Sequence, residues 1–223
     1  MAREPRSLSD PVGYGRDVDI RELAVPDTYL LDLVPHDDSR GRFVEWFRTD
    51  LLSEVTGYTF PLAQANHSVS DRGVLRGVHF ALVPPGQAKY VYCPTGAILD
   101  VVVDIRVGSP TFGVHDAVLL DSERPRAMFL SEGVGHAFVS LATQSSVAYL
   151  VSSPYAPERE FGIDPLDPEL ALPWPEDLTL ELSAKDRTAP SLAEARERGL
   201  LPTMAQCAAR YAELRDEATA SAR

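Results

Sequence analysis

This sequence predicts an all-β chain folded as an antiparallel jelly-roll barrel, with short peripheral helices and a helical C-terminal tail, and three observations carry that prediction. Residues 60–153 break into short runs enriched in Val, Ile, Tyr and Phe. Turn residues separate those runs at even spacing, at "PPG" (84–86), "PTG" (94–96), "GSP" (108–110) and "SEG" (131–133), the signature of a sandwich or barrel. Beyond residue 190, by contrast, apolar residues recur at helical spacing.

Each element follows from local chemistry. Residues 1–15 are polar and rich in Pro, Gly and Arg, with no apolar period, and read as a flexible N-terminal arm or a partner-swapped strand. A strand over 27–34, a turn over 35–41 and a second strand over 42–47 follow from turn chemistry between apolar runs, and a short helix fits 49–55. Further strands are predicted over 73–82, 89–93, 97–105, 114–120, 127–130, 137–141 and 147–152. The prolines of "YAPE", "DPLDPELALPWP" and "TAP" restrict 155–190 to loops and single turns that wrap the barrel. Ser191, with Glu194 three residues later, gives a capping-box signature for a helix ending at Gly199. Met204, Cys207, Tyr211 and Leu214 mark an amphipathic helix over 203–217, packed on its own barrel or on a partner. The expected organisation is an arm (1–15), one barrel domain (16–190) and a C-terminal helical extension (191–223).

A chain of 223 residues, 44% of them hydrophobic, can bury a full core. No stretch approaches 18 uninterrupted apolar residues and no hydrophobic run follows the first positive charges, so neither a membrane span nor a signal peptide is expected and the location is cytoplasmic. Cys93 and Cys207 stand far apart without a CxxC pair, which argues against a zinc ribbon, a redox motif or a disulfide framework and for buried thiols. The formal net charge of -12 repels polyanions, so nucleic acid is not an expected partner. Only two of the 21 Lys and Arg residues are lysines, Lys89 and Lys185. An arginine bias explains the scarcity but not the positions, and a compact ammonium does not exchange freely with a planar fork.

The stretch "GVLRGVHF" (73–80) places Arg76 and His79 in a strand-like run. Regular alternation puts His79 with Leu75 and Gly77 on one face and Arg76 with Val78 and Phe80 on the other, unless a bulge at Gly77 re-aims them. "GVGHAF" (133–138) repeats the theme with His136. Each histidine alone fits a structural role, and two together raise the question of a metal. A metal-binding barrel of this kind supplies two histidines and a carboxylate close together on one strand, and "RGVHF" has one such residue, so no metal is expected.

Several longer stretches carry a resemblance. "QANHSVSDRGVLRGVHF", "QAKYVYCPTGAILDVVVDIRVGSPTFG", "EGVGHAFVSL", "YAPEREFGIDPLDPELALPWP" and "LSAKD" occur in order over about residues 20–192. Together they resemble the dTDP-4-dehydrorhamnose 3,5-epimerase family, most of all its actinomycete branch that makes deoxysugars for natural products. The resemblance implies a cupin-like jelly-roll homodimer that uses no metal or organic cofactor and acts on a dTDP-linked 4-keto-6-deoxyhexose. By motif position it implies that His79 is the general base, Asp186 its orienter, Tyr149 the opposing proton donor and Lys89 the cation at the ketone. It further implies that Arg40, Glu45, Gln64, Asn66, Arg76, Glu160 and Lys185 hold the sugar and diphosphate, that Tyr155 stacks on thymine, and that His136 assists at the carbonyl.

The implied chemistry needs this set. A proton beside a ketone leaves only if the enolate oxygen is stabilised where its charge develops, which calls for Lys89 and His136. A carboxylate on one imidazole nitrogen fixes the tautomer and supports the imidazolium. Inversion then requires a proton from the opposite face, beyond the reach of the base. Arginine suits a diphosphate because its fork donates two bonds. Read singly, Tyr149 is a core aromatic, Asp186 a residue near a helix cap, Arg40 and Glu45 a surface pair and Tyr155 a barrel-edge plug. The sequence departs from the family pattern at Ala81, where glutamine is frequent, at "GVGHAF" and at Pro154, which replaces an aromatic. These changes touch the pocket wall and leave the reacting carbon open. Rival readings are epimerisation at C3 or C5 alone, a ketoisomerase, a metal-dependent barrel enzyme, and a non-catalytic sugar-nucleotide binding protein.

Overall fold

A computed structural model describes residues 6–8 and 18–221. In chain order the first elements are β1 (Arg6–Leu8), β2 (Val18–Glu22), β3 (Thr28–Asp32), β4 (Pro35–Asp38), β5 (Gly41–Val44), α1 (Thr49–Thr56) and β6 (Gln64–Ser70). Then come β7 (Val74–Ala81), β8 (Lys89–Thr95), β9 (Ala97–Val103), β10 (His115–Asp121), β11 (Arg126–Leu130), β12 (Gly135–Ser140) and β13 (Ser145–Val151). The chain closes with β14 (Glu160–Gly162), β15 (Glu181–Leu182), α2 (Ala184–Arg187), α3 (Leu192–Glu197) and α4 (Met204–Ser221).

Two sheets form the jelly roll. One runs β1-β2-β3-β11-β8-β13-β6, and the other β10-β9-β12-β7-β14 with β15 added in parallel on β7. Between them lies a core with Leu30, Val91, Met128, Leu130 and Val147 from the first sheet and Ile98, Val102, Leu120 and Phe138 from the second. Alternation along each strand sends the remaining apolar residues outward, and both outer faces are covered too. Leu51 and Leu52 of α1, with Phe60, cover Leu31, Tyr90 and Phe129. Ile163, Leu170, Leu192 and Leu201 cover Val78, Phe80, Val101 and Val103. The wrapping role expected of 155–190 thus has its cause in a second sheet that is apolar on both faces.

Where elements depart from expectation, burial explains it. The turn expected over 35–41 is itself half strand: Pro35 starts β4, where a missing N–H costs nothing, and pairs with Val44 in a hairpin whose tip is Ser39 and Arg40. The second strand accordingly stops at Val44 instead of 47. Strand β6 was not anticipated because its inward positions, Gln64, Asn66, Ser68 and Ser70, are polar while Ala65, His67 and Val69 face out. Three short pieces, β14, β15 and α2, occupy the stretch read as loops. The Ser191–Glu194 capping box forms with both of its reciprocal bonds. Helix α4 runs four residues past 217 and packs on its own barrel, Cys207 and Tyr211 against Val83. Of the N-terminal arm, Arg6–Leu8 pairs antiparallel with Val18–Ile20, and the rest lies outside the described residues. Both cysteines are buried and free. Among the described residues no helix is long and apolar enough to cross a membrane.

Candidate active site

The question raised by Arg76 and His79 is settled by a bulge. On the β12–β7 ladder His136 pairs with His79 and Phe138 with Arg76, so three steps on β7 span two on β12. The extra residue falls at Gly77–Val78 and turns both Arg76 and His79 into the barrel, beside the inward Phe138 and His136. Gly77 has φ +123, and a β-carbon there would stand 2.5 Å from both the Ala137 β-carbon and the His136 carbonyl oxygen. Only glycine meets both conditions.

His79 is half-buried and its Nε2 lies 2.6 Å from Asp186 Oδ1. Asp186 reaches this position because Ser183 caps α2: its hydroxyl accepts from the Asp186 N–H at 3.1 Å and donates to Asp186 Oδ2 at 2.8 Å. Burial pushes the Asp186 carboxyl up, but the bond and charge of His79, the Ser183 hydroxyl and Lys185 outweigh it and hold the pKa below the ordinary value. With Nε2 occupied by the carboxylate, Nδ1 is the nitrogen left to take a proton.

The facing sheet supplies the rest. Lys89, on the inward face of β8 with Val91 and Cys93, is buried and pairs with Val151. Burial lowers its pKa, Glu160 and Asp100 pull it back up, and Lys185 lowers it further. Tyr149 stands opposite Val91 on β8 and Asn66 on β6, packed against the inter-sheet core. Burial raises the pKa of its phenol, Glu160 adds to the rise and Arg76 opposes it. Charges on strands β7, β8, β13 and β14 therefore act on one another across one interior, and His79 and Tyr149 belong to its two opposing walls.

Other predicted residues gather around this centre. Gln64 and Asn66 face inward on β6, bonded to each other at 2.6 Å. Arg76 Nε donates to Ser70 Oγ at 3.1 Å. Glu160 pairs with Ala81, and its Oε1 accepts from the Ala156 N–H and from Gln87 Nε2. Tyr155 is exposed at the rim, its N–H donating to Gln64 Oε1, above a cavity of about 260 Å³ lined by Ala81, Pro85, Arg159 and Glu160 among others. Lys185 is exposed beside Asp186 on α2. Arg40 and Glu45 are not part of this group: they sit exposed at the tip and base of the β4–β5 hairpin, which joins neither sheet, and Arg40 is paired with Asp38.

Sequence reasoning missed Asp100. It is buried on β9 with its Oδ1 2.6 Å from His136 Nε2, and burial raises its pKa against the pull of His136 and Lys89. The available signal was one acid in "AILDVVV", in phase with the inward Ile98 and Val102. Gln87, which holds Glu160, gave no signal of its own. His79 and His136 are thus each bonded to one carboxylate, and among the described residues no group of three or more His, Cys, Asp or Glu is placed to hold a metal ion.

Residues 22–194 match the family model described as dTDP-4-dehydrorhamnose 3,5-epimerase. The chain belongs to that family. Membership makes it a carbohydrate epimerase, an isomerase. It is 55% identical over 195 residues to a dTDP-4-dehydrorhamnose 3,5-epimerase of Mycolicibacterium smegmatis, an alignment covering 87% of this chain and 96% of the relative. Among solved structures it is similar to ChmJ, a 3'-monoepimerase from Streptomyces bikiniensis in complex with dTDP-quinovose, with TM-score 0.85, 47% identity and coverage of 86% of this chain and 98% of that one. NovW, a 4-keto-6-deoxy sugar epimerase from the novobiocin biosynthetic gene cluster of Streptomyces spheroides, gives TM-score 0.83 and 46% identity, with coverage of 93% and 100%.

Proposed function

We propose that this epimerase inverts a dTDP-linked 4-keto-6-deoxyhexose in deoxysugar biosynthesis in the cytoplasm, at the carbons flanking the C4 ketone. His79 removes the proton alpha to the ketone, held in the right tautomer by Asp186. Lys89 and His136 face the carbonyl oxygen and carry the charge that develops there. Tyr149 returns a proton from the opposite wall. The steps draw on these side chains alone, without a cofactor. Arg76, Gln64, Asn66, Glu160 and Lys185 hold sugar and diphosphate around the barrel mouth, and the cavity beside Tyr155 takes the base. The observation that carries this reading is the 2.6 Å His79–Asp186 bond on one wall, with Tyr149 and a buried lysine rising from the other.

The active form is a homodimer in this proposal. Arg40 and Glu45 are exposed on a hairpin that joins neither sheet, and a second copy's mouth would give both a substrate to bind. Incubation with dTDP-4-keto-6-deoxyglucose in D2O tests the chemistry: deuterium enters C3, C5 or both, and position-resolved NMR reads which. No exchange with any substrate of this class would refute it.

A further inference from the structure

A junction next to the site has no part in the chemistry above. Glu132 is 1% exposed, in the turn between β11 and β12. Its carbonyl accepts from the Tyr211 hydroxyl of α4 at 2.5 Å. Its carboxyl Oε1 accepts from Ser152 Oγ at 3.2 Å, and Ser152 Oγ in turn accepts from the buried Ala88 N–H at 2.8 Å. The Ser152 N–H also donates to the Ala88 carbonyl at 3.1 Å. Ala88 directly precedes Lys89, Ser152 follows the strand that carries Tyr149, and the turn holding Glu132 leads into His136. Helix α4 presses on the same turn, since a β-carbon at Gly133 would collide with the Cys207 sulfur. On its other side Tyr211 receives Arg106, whose guanidinium is also bound by Asp104 and Asp27 and is fully buried.

Three chain segments bearing proposed reacting groups thus meet at the Ser152 hydroxyl, and the main-chain carbonyl of Glu132 ties that junction to the C-terminal helix. We propose that Ser152, Glu132 and Tyr211 are positioning residues that fix Lys89 against the substrate carbonyl, with α4 as their anchor. This assigns a task to the C-terminal extension and rests on the proposed epimerase chemistry. Hydrogen bonds at buried donors hold geometry firmly because an orphaned N–H is costly, and a shift of about 1 Å in a reacting group costs on the order of 10²-fold in rate.

The test compares Ser152→Ala, Ser152→Thr and Tyr211→Phe with the wild-type protein in deuterium wash-in from D2O on dTDP-4-keto-6-deoxyglucose, with rates normalised to the chains that bind dTDP. Ser152→Ala should lose at least about tenfold in kcat with KM nearly unchanged, since the groups proposed to hold nucleotide lie elsewhere. Ser152→Thr, which keeps the hydroxyl, should recover most of that loss, and Tyr211→Phe should fall in the same direction. A role confined to stability would lower the number of dTDP-binding chains and leave kcat per binding chain alone, which would overturn the proposal. So would a Ser152→Thr variant as slow as Ser152→Ala. If the wild-type protein itself exchanges no deuterium, the epimerase reading fails and this proposal falls with it, whereas exchange by the wild-type protein with unchanged kcat in Ser152→Ala overturns this proposal alone.

Discussion

The carboxylate on His79 and the burial of Lys89 set how the site responds to single changes. Asp186 holds the imidazole by one 2.6 Å bond while Ser183 holds Asp186, so replacing His79 by Asn should abolish deuterium exchange with the fold intact. Asp186→Asn should keep the shape but present the wrong tautomer, lowering exchange by about 10²-fold or more. Far-ultraviolet circular dichroism beside the exchange rate checks both. In the proposed mechanism Lys89 acts as a cation, so activity should fall as pH rises through its pKa. Burial sets that pKa low, and the alkaline limb of kcat should lie below the ordinary lysine value of about 10.4. Glu160 raises the pKa of both Lys89 and Tyr149, so Glu160→Gln should move the limb to still lower pH. A pH profile of exchange for the two proteins reads the sign directly, and a limb moving upward would contradict this account.

Among the elements, β7 bears both Arg76 and His79 of the proposed site, and its bulge turns both into the barrel. Without the extra residue, Arg76 or His79 would face the outer layer of Ile163 and Leu170, where either charge would be buried among apolar side chains. Gly77→Ala meets both a positive φ and a 2.5 Å approach to β12. It should cost roughly 1–3 kcal/mol of stability and most of the activity together, measured by denaturant unfolding and by exchange. Strand β6 shows the reverse lesson. Its inward row is polar, as a wall of the proposed sugar site would be, so the periodicity that betrays ordinary strands is inverted there and the element escapes a reading based on apolar alternation. The hairpin β4–β5 escaped in part for a related reason, since residues 37–43 are exposed and Val44 alone of the hairpin packs on a core cluster.

At the scale of the whole molecule, one buried cation knots the barrel to its C-terminal extension. Arg106 has no exposed side-chain surface and is bound by Asp104, Asp27, the Pro26 carbonyl and Tyr211. Removing it strands Asp104, which Ser109 and Thr111 also serve. Arg106→Ala should therefore destabilise the fold by about 3–5 kcal/mol, read from the denaturant midpoint and slope. The proposed dimer makes a different prediction. His79→Asn and Arg40→Ala chains, each weak alone, should regain activity when unfolded and refolded together, because a mixed dimer assembles one intact site. Absence of any recovery would place the hairpin outside the substrate's reach.

Sequence alone determined the strand-rich class, most strand positions, and the capping box and amphipathic tail, and its family resemblance put forward His79, Lys89, Tyr149 and Asp186 as the proposed reacting groups. These are local matters: alternation, turn chemistry and motif spelling are written in consecutive residues. Tertiary structure alone decided that Arg76 and His79 share a face, that Asp100 serves His136, and that Glu132 joins α4 to the strands of Lys89 and Tyr149. Each of these depends on register between strands far apart in the chain, and a one-residue bulge that no composition records reverses which wall a side chain faces.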